Sequence, residues 1–127
     1  MTYYIAKTLD GEFDAVIARV VEALKKEGFG ILTEIDVSAT LKKKIDVDFR
    51  PYRILGACNP KMAHQALTIE DKIGVMLPCN VIVQQTDKGV EVAAVDPEAS
   101  LGRVGNPALD DAAKTVKAAL TRVVEGL

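Results

Sequence analysis

Tryptophan is absent, and three tyrosines with three phenylalanines hold the aromatic share at 5%. So few aromatics argue against a stacking platform for bases or sugars. There is one histidine, His64. A Ser-His-Asp site would have to use it, and no serine elbow accompanies it. Gly-x-Gly-x-x-Gly, P-loop, Gly-x-Ser-x-Gly and His-Glu-x-x-His motifs are missing as well. Charge of one sign is not in excess, since 16 basic and 18 acidic residues leave a net charge of −2. That balance does not suggest a general nucleic-acid or anionic-membrane surface. No apolar run approaches the roughly 20 residues of a membrane span. No basic segment followed by a long apolar run marks a signal peptide. The expectation is a soluble cytoplasmic protein.

What remains is globular in composition: 49% hydrophobic and 27% charged over 127 residues. A chain of this length forms one domain and buries roughly two-thirds of its unfolded surface. It needs neither disulfide nor metal to fold. The two cysteines, Cys58 and Cys79, fit free thiols in a reducing compartment, with a bridge between them the lesser reading.

The elements follow from periodicity and punctuation. Tyr3 to Thr8 reads as a strand. Phe13, Val16, Ile17, Val20, Val21 and Leu24 repeat at helical spacing, so a helix spans Glu12 to Lys26, with Gly28 as its stop. Phe29 to Asp36 is a second strand, with Ile31, Thr33 and Ile35 on one face. A short helix from Ser38 to Lys44 has Ser38 as N-cap and turns Val37, Leu41 and Ile45 inward. Tyr52 to Ala57 is a buried strand, and Asn59-Pro60 starts a helix that runs to Ile69. Lys72 to Met76 reads as a loop. Cys79 to Gln85 and Val90 to Val95 form a hairpin across Asp87-Lys88-Gly89. Pro97 to Leu101 suits one helical turn. Ala108 to Glu125 is a final helix whose apolar face is rich in small residues. The order β-α-β-α-β-α-β-β-α implies a compact layered α/β or α+β domain, residues 1–127. Its helices would pack on one mixed five-stranded sheet.

The stretch from Tyr52 to Val83 concentrates the chemistry. It holds both cysteines, His64, and the pairs Cys58-Asn59 and Cys79-Asn80. Cys58 lies between a strand end and a helix N-terminus, where backbone amides favour negative charge. Cys58 could then be a nucleophile, Cys79 its resolving partner, and His64 an orienting or deprotonating group. Asn59, Asn80 and Arg53 are candidate ligand contacts, and the Lys42–Lys44 run a candidate anion rim. The plainer readings are core filler for the thiols, capping for the asparagines and a solvated helix end for the lysines. Cys58, His64 and Cys79 supply three soft or borderline donors, to which a dimer could add, but their spacing matches no standard zinc pattern, so no metal ligand is assigned. No cofactor is named by any residue pattern.

Tyr52-Arg53-Ile54-Leu55-Gly56-Ala57-Cys58-Asn59-Pro60, then Ala63, Ala66-Leu67 and Leu77-Pro78-Cys79-Asn80-Val81 resemble the family called domain of unknown function 302. Gly28-Phe29-Gly30 and Asp96-Pro97 also fit, so the resemblance covers nearly the whole chain. It implies a compact α/β fold and a homodimer, and no activity. The reading that results is an uncharacterised protein binding a small molecule or anion at the Cys58/Cys79 cleft. A thiol-dependent redox or sulfur-transfer enzyme is the alternative, and a metal-binding dimer the second.

Overall fold

The structure, a computed structural model, describes residues 2–127; Met1 lies outside it. Five strands form one sheet: β1 (Tyr4–Leu9), β2 (Gly30–Asp36), β3 (Tyr52–Cys58), β4 (Cys79–Thr86) and β5 (Gly89–Val95). Among the described residues five α-helices accompany them: α1 (Phe13–Lys26), α2 (Val37–Ile45), α3 (Pro60–Ile69), α4 (Pro97–Gly102) and α5 (Asp110–Glu125). Short 3-10 turns cover Asp71–Met76 and Pro107–Leu109.

The sheet order is β1-β5-β4-β3-β2, and every neighbouring pair is antiparallel. The expected mixed sheet is therefore corrected. Two of the three helical connections join strands that lie side by side and run in opposite directions: α2 between β2 and β3, α3 between β3 and β4. Only α1 spans the sheet, from one edge strand to the other. β1 and β2 do run the same way, but three strands separate them, so no parallel ladder forms.

The core lies on one face. Leu55, Ala57, Val81, Val83, Val90 and Val92 point to it and are buried. Against them α1 lays Val16, Ile17, Val20 and Leu24, and α5 lays Val116, Ala119, Leu120, Val123 and Val124. A fully buried aliphatic side chain of this kind contributes about 1.5–3 kcal/mol. The helix ends follow from the residues at them. Glu12 caps α1 by accepting from the N–H groups of Asp14 and Ala15. Gly28, at φ +87°, closes it: its N–H donates to the Lys25 carbonyl, and Phe29 N–H donates to that of Leu24. Lys7 Nζ donates to the carbonyls of Glu125 and Leu127, fixing the end of α5 on β1.

The other face carries no such layer. Tyr4, Ile35 and Asn80 are exposed there, and Ile54, Ile82, Tyr52 and Val95 half-buried. The sheet is one of two layers, with α1 and α5 as the second.

Two local expectations change. The register shifts between Ile31 and Thr33, so Ile31 opposes Ala57 on the core side while Ile35 opposes Ile54 on the open side. A bulge inserts one residue and inverts the alternation beyond it. In α2 the N-cap is Asp36, whose Oδ1 accepts from Ala39 N–H and the Ser38 hydroxyl. None of its residues is buried, and Ile45 is 63% exposed. A helix hung on an edge strand finds no second layer to bury against.

Candidate functional site

Cys58 is the last residue of β3 and Cys79 the first of β4. Cys79 pairs with Ala57 across the ladder and shares its core side. Cys58, one residue on, belongs by the pleat to the opposite side. Both nevertheless border one crevice where the two strands end, of about 40 Å³. Both thiols are free.

Asn59 stands at the same place and caps α3: Met62 N–H donates to its Oδ1 at 3.3 Å, and Pro60 takes the first helical position. The walls are otherwise apolar. Phe29, Met62 and Ala66 line one side. Leu101 from α4, with Ala112 and Val116 from α5, lines another. The crevice sits where the main core meets a smaller one built from Ala66, Ile73, Leu101, Leu109 and Ala113. The sequence hinted at α5 through its small residues, which let a neighbour approach closely. Nothing in it pointed to Leu101 or Phe29, which arrive from distant segments.

The Cys79 thiol is pushed up to about 11, first by burial and then by the neighbouring Cys58. A buried thiolate is costly in apolar surroundings, so Cys79 is protonated near neutral pH. Among the described residues no lysine or arginine borders the crevice.

The remaining candidates lie elsewhere. His64 is exposed on α3 and does not line the crevice. Asn80 faces the open side of the sheet opposite Gly56. Arg53 sits on the β3–β2 ladder with Glu34 at 2.6 Å and Asp36 at 3.6 Å, its guanidinium 5.8 Å from the Phe13 ring. Its charge is met within the chain. Lys42 likewise pairs with Asp46 at 3.0 Å and Asp48 at 3.2 Å. Of the predicted cluster, Cys58, Asn59 and Cys79 meet, while Asn80, His64 and Arg53 do not join them. Among the described residues no three His, Cys, Asp or Glu side chains gather as a metal site. Among them, too, no helix is long and apolar enough to cross a membrane.

These features define a small two-layer α+β domain with a thiol-bordered apolar crevice at one end of its sheet. The chain belongs to the family described as domain of unknown function DUF302, whose model matches residues 5–127. It is also similar to a solved structure, the uncharacterized conserved DUF302 protein from Bacillus stearothermophilus. The TM-score is 0.92 and the identity 28%, over 98% of each chain. No curated protein matches.

Proposed function

We propose that the protein is a binding domain whose Cys58/Cys79 crevice accepts a small apolar group, such as the branched end of an alkyl chain or aliphatic side chain. The observation that carries this reading is the wall itself: two thiols, one capping asparagine and otherwise apolar side chains around about 40 Å³. An apolar cavity of about 150 Å³ takes a benzene molecule, so this one suits a few carbon atoms, the tip of a ligand rather than its whole. A protonated Cys79 disfavours that residue as a thiolate in sulfur transfer or disulfide exchange, since the thiolate is the reacting form. The lack of a cation in the lining favours an apolar occupant over an anion. The proposal extends to a cytoplasmic setting, where free thiols stay reduced.

Xenon tests the reading directly, because it enters dry apolar cavities without chemistry. Methyl NMR under xenon pressure is expected to shift Met62, Ala63 and Ala66, and Ala63→Leu, which fills the space, is expected to abolish the shift. Methyl groups that do not respond in the wild-type protein would sink the proposal. Rapid alkylation of native Cys58 and Cys79 at neutral pH would instead move the thiol-dependent reading ahead.

A further inference from the structure

We propose that the open face of the sheet carries a second binding site, a tyrosine-walled trough for a small organic cation, an amine on an aryl body. The trough holds about 440 Å³, within the range of small-molecule sites. Its lining shares no residue with the Cys58/Cys79 crevice. An antiparallel sheet with water on one side ordinarily turns polar residues to that side. Here Ala93 and Ile82, partners across β5 and β4, make an apolar floor. Tyr4 stands at one end and Tyr52 at the other. Tyr3 meets Tyr4 edge to face, the ring centroids 5.1 Å apart.

A single charge faces this space. Glu91 is the one charged side chain among the strand positions of the open face. It is half-buried, and Gln84 Nε2 donates to its Oε1 at 2.9 Å, which fixes the carboxylate. Among the described residues no lysine, arginine or histidine pairs with it. Tyr52, Gln84 and Glu91 form one row across three strands. The Tyr52 and Glu91 backbones therefore stand about 10 Å apart, two strand spacings. That gap admits an ammonium group between the carboxylate and the ring.

Charge selects the occupant. A tyrosine ring attracts a cation to its face through its quadrupole, and a carboxylate adds charge-assisted hydrogen bonds. The first of these interactions already operates beside the trough: the Arg50 guanidinium lies 4.4 Å from the Phe49 ring, which packs 6.1 Å from Tyr52. An anion would meet Glu91 with nothing to offset it, since among the described residues no lysine or arginine lines the trough. From Glu91 to Val95, which opposes Tyr4, the strand rises about 13 Å. An amine at Glu91 thus leaves room for one ring on a short chain over Ala93 and Ile82. At the far end Asn80 is exposed and makes no side-chain hydrogen bond among the described residues, so its amide is open to a hydroxyl on that ring.

Methyl NMR titration tests the proposal with three probes of one shape and different charge: tyramine, its alcohol tyrosol, and the corresponding carboxylate. Tyramine is expected to shift Ile82, Ala93 and Val95 and to leave Met62 and Ala66 of the crevice unmoved. Tyrosol is expected to bind about tenfold more weakly, because hydrogen bonds to charged groups are roughly twice as strong as neutral ones. The carboxylate is expected to bind least. Glu91→Gln keeps an acceptor for Gln84 and removes the charge, so it should bring tyramine down to the affinity of tyrosol while tyrosol itself is unchanged. Tyr52→Phe should keep the preference for the amine, and Tyr52→Leu should weaken it. If Tyr52→Leu disturbs folding, seen by far-UV circular dichroism, Glu91→Gln carries the test. Equal binding of amine and alcohol to the wild-type chain overturns the proposal. So does a preference for the amine that survives Glu91→Gln. Trough methyls that stay silent with tyramine overturn it as well.

Discussion

Lys117 Nζ lies 3.1 Å from Asp96 Oδ2, and this contact joins the middle of α5 to the turn that follows β5. Asp96 is 9% exposed, and its other oxygen caps α4 by accepting from Glu98 N–H at 2.9 Å. One carboxylate thus serves two elements, and its hydrogen bond raises the Lys117 pKa above the ordinary lysine value. Asp96→Ala removes both contacts and is expected to cost about 1–2 kcal/mol, the range for a lost N-cap. Asp96→Asn keeps the cap and should cost less. Urea melts of the two variants compare them, and equal losses would assign the effect to the ion pair instead.

Gly56 sits mid-strand in β3 because no side chain fits there. A Cβ would collide with Thr33 Oγ1 and approach Pro78 Cγ to 2.8 Å. Thr33 can rotate away, but the proline ring cannot. Gly56→Ala is expected to destabilise the fold by about 1–3 kcal/mol, the usual cost of overpacking. The denaturation midpoint measures it. A loss below about 0.5 kcal/mol would mean that the Pro78 segment yields freely.

Asp36 has a carboxyl held below its usual value of 3.8, first by the Ala39 amide, then by the Ser38 hydroxyl. Nearby Arg53 adds to the effect. A lowered folded-state pKa contributes stability above pH 3.8, and that contribution is lost as pH falls through the folded value. Asp36→Asn preserves a capping oxygen while removing the charge. The variant is expected to show a shallower acid limb in stability measured from pH 6 down to pH 2. A limb as steep as that of the wild type would remove Asp36 from the acid response.

Cys79 works in the opposite direction. Its folded value of about 11 exceeds the free value of 9.0, so its contribution is complete below pH 9 and is lost as pH rises through about 11. Native Cys79 is expected to alkylate far more slowly than the denatured chain at pH 8, read residue by residue in the mass spectrometer. Cys79→Ser, which buries a hydroxyl, is expected to cost about 1–3 kcal/mol. Fast alkylation of native Cys79 at pH 8 would contradict the protonated, buried thiol.

Legibility in the sequence followed the range of the interaction. Asn59-Pro60 at the start of α3 and Gly28 at the end of α1 are local signals, and both elements stand where those residues put them. Periodicity found α1 and the buried stripe of α5 for the same reason. The bulge at Ile31 and Thr33 left no mark, because an extra residue in an edge strand changes no composition. The site divided similarly. Cys58 and Asn59 are adjacent in sequence, and Cys79 joins them through the β3–β4 ladder. Asn80 was separated from them by the two-residue period of the strand, and His64 by its exposed position on α3.

The sequence by itself determined most of the elements, the α3 cap at Asn59, the α1 stop at Gly28 and the core stripes of α1 and α5, since each depends on contacts within a few residues. Only the tertiary structure decided that the sheet is wholly antiparallel, that Leu101 and Val116 close a crevice around two thiols, and that one face stays bare. A strand-helix-strand sequence reads the same whether the helix returns the chain beside its start or carries it across the sheet. The difference lies in which strand pairs with which, and pairing between distant segments is settled by the burial of the whole chain.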